Sequence, residues 1–187
     1  MTPFDPATTA LVLIDLQTGI VQGDKGPHAA DAVVAAASDL AVRFRAAGAP
    51  VFLVHVGWRS DAERPSGAVD RPMPIPPGGT PAHWMALVDG LEQPGDIVVL
   101  KHHWGAFTGT DLDLQLRRRG IRTIVLAGIA TNFGVESTAR AAWELSYDVV
   151  VVEDACTSRS AALHAFAIAH ILPQIARVVT AAQISLD

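Results

Sequence analysis

The chain has 187 residues, a formal net charge of −5, and is half hydrophobic with only 18% charged residues. This suits a single α/β domain over residues 1–187 with a sizeable core. It argues against disorder, and against a nucleic-acid partner, because the basic run Arg117–Arg119 falls where the last turn of a helix is expected. The lone Cys156 excludes an internal disulfide and fits a reducing compartment. The N-terminus lacks a basic n-region and no apolar run exceeds strand length, so a cytoplasmic protein without a membrane span is expected.

Thr9–Ile14 (TALVLI) is a continuous apolar run ending in Asp15 and reads as the first strand. Val33, Ala37, Leu40 and Phe44 then recur at helical spacing. Val51–Val56 (VFLVHV) is a second strand. The segment 57–95 carries seven of the twelve prolines, including PMPIPPGG at 72–79, so it is expected to be an irregular lid, binding loop or interface. Ile97–Leu100 is a third strand, ending in Lys101. Thr110 reads as the N-cap of a helix with Asp111 and Asp113 in its first turn and Gly120 beyond its end. A fourth strand runs over Ile121–Gly128, followed by a polar turn at Ile129–Phe133 and a helix opening at Gly134 with Val135, Ala139 and Ala142 on its apolar stripe. Val149–Val152 and Arg177–Val179 complete six strands. A helix over Ser158–Leu172 stops at Pro173, and Thr180-x-x-Gln183 is a capping box. Strands apolar on both faces, alternating with helices, predict a doubly wound, six-stranded parallel sheet with helices on both faces.

Ligands of such sheets bind outside the carboxyl ends of the strands. Asp15, Lys101 and the 128–134 turn are all expected at that edge. A strand running into a helix start leaves unpaired amides suited to an anion or oxyanion. Many hydrolases place a nucleophile at such an elbow. This chain has Gly134 there.

The motifs TALVLIDLQ, KHHWGAFTGTDLDLQLRRRGI and LAGIATNFGVESTARAAWELSYDVVVVEDAC resemble those of the isochorismatase-like, or cysteine hydrolase, superfamily, in its order and spacing, over nearly the whole chain. The resemblance implies a parallel sheet flanked by helices and a homo-oligomer. It makes Asp15 and Lys101 the catalytic Asp and Lys, and Ile129–Ala130 the dipeptide whose bond is usually cis and shapes the oxyanion hole. It places Gly134 where most members carry the nucleophilic Cys.

Thioester chemistry needs that thiolate. Cys156 follows another strand, with no neighbouring His or Lys to activate it, and reads as a small core residue. Some isochorismatases also lack the Cys. They cleave a vinyl ether to pyruvate and a dihydroxy-cyclohexadiene carboxylate, which requires a proton at the enol-ether carbon and water at the resulting oxocarbenium, but no covalent nucleophile. Asp15 is the expected acid or base, Lys101 the group that holds or polarises an anionic substrate, and the amides around Phe133 and Gly134 the oxyanion donors. Lys101 lowers the pKa of Asp15 and burial raises it, so the balance stays open.

Phe133 and Trp104 line a ring pocket or serve packing. Thr131 and Asn132, like Ala130 and Ile129 beside them, either contact substrate or stabilise the turn. At most one of His102 and His103 points at the site. No cofactor or metal is expected. Nicotinamidases of the superfamily carry Asp-x-His near the second strand end, whereas here HVGWRSD leaves His55 alone, and the seven histidines show no i, i+4 or His-x-His ligand pair. Two other readings accompany the hydrolase. One is a catalytically silent small-metabolite binder, supported by Gly105 where the motif more often has Ser. The other is an amidase that uses water directly.

Overall fold

The computed structural model describes residues 3–65, 67–72, 75 and 77–187; part of the proline-rich 72–79 stretch, at 73, 74 and 76, lies outside the described residues. Six strands form one parallel sheet: β1 (Thr9–Ile14), β2 (Val51–Val56), β3 (Ile97–Lys101), β4 (Thr123–Ile129), β5 (Asp148–Thr157) and β6 (Arg177–Val179), in the order β3-β2-β1-β4-β5-β6. The chain winds outward from β1 to β3, returns to the middle, and winds outward again from β4 to β6. The reversal falls between β1 and β4, and a doubly wound sheet opens its ligand crevice beyond the carboxyl ends of such a pair. Burial follows position. Every residue of the central β1 is buried, whereas edge strand β3 alternates.

The helical segments are α1 (Thr18–Val21), α2 (Ala30–Ala46), α3 (Leu112–Arg118), α4 (Glu136–Glu144) and α5 (Ala161–Phe166). The expected stripe of α2 is buried in full, with Val33, Ala37, Leu40 and Phe44 all at 0% exposure, and the helix packs across β1, β4 and β5. The capping box at Thr180 and Gln183 forms as expected.

Several boundaries differ from the sequence reading, and the strand expected over Ile121–Gly128 runs over Thr123–Ile129. Helix α3 begins at Leu112, and Asp111 holds the N-cap position, yet the Thr110 hydroxyl does accept from the Leu112 N–H at 3.2 Å. The helix expected to open at Gly134 opens earlier, as a π-helical turn over Thr131–Val135 that leads into α4. The Val135 N–H reaches back five residues to the Ala130 carbonyl at 3.2 Å. Strand β5 continues past Val152 through Thr157, because a register shift between Leu126 and Gly128 lets the EDAC stretch pair on beside β4, with Cys156 opposite Gly128. The helix expected over Ser158–Leu172 is α5, capped by Ser160, then a π turn and a 3-10 turn containing Pro173.

Gly128 makes this crossing possible. Its φ is +127°, and a Cβ there would lie 2.1 Å from the Ile14 carbonyl oxygen. Only glycine allows β4 so close to the end of β1.

Candidate functional site

Asp15 directly follows β1. Its backbone is held by an N–H bond to the Val54 carbonyl at 2.8 Å, and its φ of 54° is in the left-handed region, which Asp tolerates better than most residues. A non-glycine residue held there at the mouth of a sheet is the kind of strain that accompanies function. Lys101 ends β3, two strands away, about 10 Å at ordinary strand spacing. A long side chain is needed to cross β2, and Lys101 does so. Its Nζ donates to Asp15 Oδ2 at 2.8 Å and to the His103 carbonyl at 3.0 Å. Asp15 is 6% exposed and Lys101 1%.

The two carboxylate oxygens differ. Oδ2 takes the Lys101 ammonium, while Oδ1 is buried with no hydrogen-bond partner among the described residues. The nearby Val56 N–H bonds instead to Gln17 Oε1 at 2.8 Å. Burial pushes the Asp15 carboxyl up to about 6, outweighing the opposing pull of Lys101. The balance left open by the sequence thus falls on the side of burial.

Gly134 lies directly against this pair. A Cβ at Gly134 would stand 3.1 Å from Asp15 Oδ2 and 2.9 Å from the Ile14 Cγ2 methyl. Here the missing side chain lets the turn pack closely against Asp15 and Ile14. The Ile129–Ala130 peptide bond is cis, as the resemblance implies. The Phe133 N–H is already bonded to the Ala130 carbonyl at 3.0 Å, so it is not a free oxyanion donor in this arrangement. The Phe133 ring meets that of Trp104 at 4.7 Å between centroids, and Trp104 is 53% exposed. The pair therefore forms an apolar wall open to solvent on the Trp104 side. Thr138 ties this wall to the turn: its hydroxyl donates to the Gly134 carbonyl at 2.6 Å and accepts from the Ala106 N–H at 3.1 Å.

Thr131 and Asn132 are engaged within the protein. The Thr131 hydroxyl meets His164 Nδ1 at 2.8 Å, and Asn132 Oδ1 accepts from Ser158 Oγ at 2.5 Å. Both bonds fasten the turn to the elements behind it. His102 turns to the Gly57 carbonyl, and His103 is exposed, contributing only its carbonyl to Lys101. His55 Nδ1 bonds to the Met85 carbonyl at 2.9 Å. Cys156 is fully buried, and burial pushes its thiol up to about 12, which leaves it inert as a nucleophile.

Two features escape sequence reading. Gln17, two residues after Asp15, is fully buried. It bonds to both backbone groups of Val56 and to the Trp84 carbonyl at 3.2 Å, so it docks the 57–95 segment onto the strand ends. The one available signal was an amide side chain next to a buried run. Gln17→Ala leaves these groups unpaired and should lower stability by about 1–3 kcal/mol, with cleavage inside 57–95 accelerating in limited proteolysis. Unchanged proteolysis would contradict the docking role. The second feature is a cluster of His28, Glu153 and His164, whose ligand atoms lie within 4.8 Å of one another. Local spacing could not reveal it, because the three residues are far apart in the chain.

Comparison with known proteins accords with this geometry. The isochorismatase domain profile matches residues 9–183. The chain is 54% identical over 180 residues to the uncharacterized isochorismatase family protein YecD of Escherichia coli O157:H7, covering 95% of both chains. It is 35% identical over 196 residues to the ureidoacrylate amidohydrolase RutB of Methylobacterium radiotolerans, covering 89% of this chain and 74% of that one. An isochorismatase family protein from Burkholderia thailandensis superposes with a TM-score of 0.92 at 49% identity, over 97% of this chain and 95% of that one. The N-carbamoylsarcosine amidase of Thermoplasma acidophilum does so with a TM-score of 0.75 at 26% identity, over 95% and 98%. With the profile spanning nearly the whole chain and the parallel sheet shared, the protein belongs to the isochorismatase family of hydrolases.

Proposed function

We propose that this protein is a member of the subgroup with glycine in place of the nucleophilic cysteine, and that it hydrolyses a small anionic vinyl ether of the isochorismate type without a covalent intermediate. The observation that carries this reading is Asp15: a buried carboxyl raised to about 6, with one oxygen on Lys101 and the other without a well-formed hydrogen bond among the described residues, the Val56 N–H only helping to hold the carboxyl down from nearby. Such a group is partly protonated near neutral pH and holds its proton on Oδ1, since Oδ2 accepts from the ammonium. Proton transfer from Oδ1 to the terminal methylene carbon of the vinyl ether leaves an oxocarbenium ion and the Asp15 carboxylate, which the Lys101 charge stabilises. Water adds to the oxocarbenium carbon and gives up a proton to Asp15. The resulting hemiketal collapses to pyruvate and an alcohol.

Lys101 has two of its three N–H groups on Asp15 and His103, leaving one for a substrate carboxylate. Trp104 and Phe133 provide an apolar wall for the ring. Gly134 keeps side-chain atoms off the carboxylate, since a Cβ there would press to 3.1 Å from Asp15 Oδ2.

The RutB relatives favour a second reading, amide hydrolysis by directly activated water. Gly134 disfavours it, because an amide leaves poorly without a thioester step. Incubation of the purified protein with isochorismate should release pyruvate well above an Asp15→Asn control. No release from isochorismate, together with turnover of ureidoacrylate, would replace the first reading with the second. A ligand that raises the melting temperature without any turnover would mark the protein as a binder.

The position of Gly134 can be probed chemically. A Gly134→Cys variant needs the Ile14 methyl to give way and Asp15 Oδ2 to yield by a few tenths of an ångström, and its thiol would stand beside the Asp15 carboxylate that holds the Lys101 ammonium. It should be alkylated by iodoacetamide at least about tenfold faster than Cys156, located by mass spectrometry. Modification of Cys156 alone would contradict this placement.

A further inference from the structure

A cluster of titratable groups lies behind the Thr131–Val135 turn, outside the Asp15 crevice. Glu153 lies on β5, His164 on α5, and His28 on the connection leading into α2. Glu153 Oε1 meets His28 Nε2 at 2.8 Å and His164 Nε2 at 3.0 Å, and all three ligand atoms lie within 4.8 Å of one another.

Each member is fixed from behind. Residues 26 and 158 exchange backbone hydrogen bonds at 2.8 and 3.2 Å, and the His28 carbonyl accepts from the Thr157 hydroxyl at 2.6 Å. The His164 ring is held by Thr131 through Nδ1 at 2.8 Å. The His164 side chain is 3% exposed, while those of His28 and Glu153 are 32% and 28% exposed, so the group is anchored at its base and open to solvent at its rim.

We propose that His28, His164 and Glu153 form a binding site for a first-row divalent cation of the zinc type, through two imidazole Nε2 atoms and one carboxylate. The donor set is that of open three-ligand zinc sites, in which water completes the coordination. At bonds of about 2.0–2.1 Å a tetrahedral ion sets its ligand atoms about 3.3 Å apart, so Oε1 must withdraw by about half an ångström, and the two histidine nitrogens, which lie within 4.8 Å of each other, must draw together by up to about 1.5 Å.

Binding has a consequence at the turn. Without an ion, the tautomer with its proton on Nε2 donates to Glu153 and accepts the Thr131 hydroxyl proton at Nδ1. With an ion on Nε2, the proton resides on Nδ1 and Thr131 Oγ1 becomes the acceptor, the second-shell arrangement that orients metal-bound histidines. The number of protons on the ring is unchanged, and only the hydrogen bond into the Thr131–Val135 turn reverses. This site therefore couples to the crevice through Thr131, and it does not depend on which substrate the crevice takes.

The test uses Zn²⁺ and Co²⁺ on the full chain after chelator treatment. Calorimetry should show one Zn²⁺ per chain with micromolar or tighter affinity, and Co²⁺ should give the visible d–d bands of a four- or five-coordinate ion. Saturating Zn²⁺ should raise the melting temperature by about 5 °C or more. His28→Ala and Glu153→Gln should each weaken Zn²⁺ binding at least about tenfold and abolish the Co²⁺ bands, while His83→Ala changes neither. His28 is partly exposed, so its variant should fold, as circular dichroism would verify. Absence of saturable Zn²⁺ binding by the unmodified protein, or binding that survives both His28→Ala and Glu153→Gln, would overturn the proposal.

Discussion

Asp15→Asn should lower kcat/KM for vinyl-ether hydrolysis by about 10²–10⁴-fold, the range over which a positioned general acid acts. Asn retains the shape and can still accept from Lys101 Nζ at the Oδ2 position, which is 2.8 Å away, but it cannot deliver a proton from the other atom. The unmodified protein should show the same group in its pH profile. The acid form predominates below about 6 and is depleted above it, so kcat/KM should fall about tenfold per pH unit from roughly pH 7 upward.

Stability linked to Asp15 follows a different window. Its folded pKa is raised from 3.8 to about 6, so the folded state holds this proton more tightly than the unfolded chain. The resulting contribution is complete below pH 3.8, declines between 3.8 and 6, and is exhausted above that. A fall in activity between pH 7 and 8 that matched a loss of folded protein would therefore not come from Asp15. A flat rate profile from pH 5 to 8, with isochorismate turned over, would remove Asp15 from the acid role.

The second large effect is on stability. Lys101→Met should destabilise the fold by about 3 kcal/mol, because it leaves Asp15 buried at 6% exposure without its counter-charge. The loss is limited, because a carboxyl freed from the ammonium rises further in pKa and becomes neutral. Asp15→Asn alone strands the ammonium, and so carries its own penalty. The double variant, which strands neither charge, should be more stable than the sum of the two single effects predicts, by about 1 kcal/mol or more. Urea unfolding with unchanged slope measures all three. Additive changes would mean that the 2.8 Å contact contributes no coupling.

The residues of the crevice were legible one at a time. The apolar run of β1 is followed directly by Asp15, and edge strand β3 closes on Lys101, so each polar residue stands out against the hydrophobic strand it ends. The motif resemblance likewise marks Ile129–Ala130, which does have a cis bond. Reading was weakest where hydrogen-bond geometry rather than hydrophobic pattern sets the structure. The π turn at Thr131–Val135 has the same apolar spacing as an α-helical start, and no side-chain pattern signals that the Val135 N–H reaches the Ala130 carbonyl. The extension of β5 through Cys156 depends on a register shift opposite Gly128, visible only once β4 and β5 are paired.

What the sequence determined by itself was the alternation of strands and helices, and with it a parallel sheet whose carboxyl edge carries Asp15, Lys101 and the glycine-bearing turn. Local spacing and burial pattern depend on neighbours along the chain, and those are written in order. The tertiary structure alone decided three further points. It set the Asp15 pKa, because desolvation depends on everything packed around the carboxyl. It gave Gln17 its docking role, because its partners lie 39 and 67 residues away. It also gathered His28, Glu153 and His164, because two imidazoles and a carboxylate from three separate elements meet only when the winding of the sheet brings them to one edge.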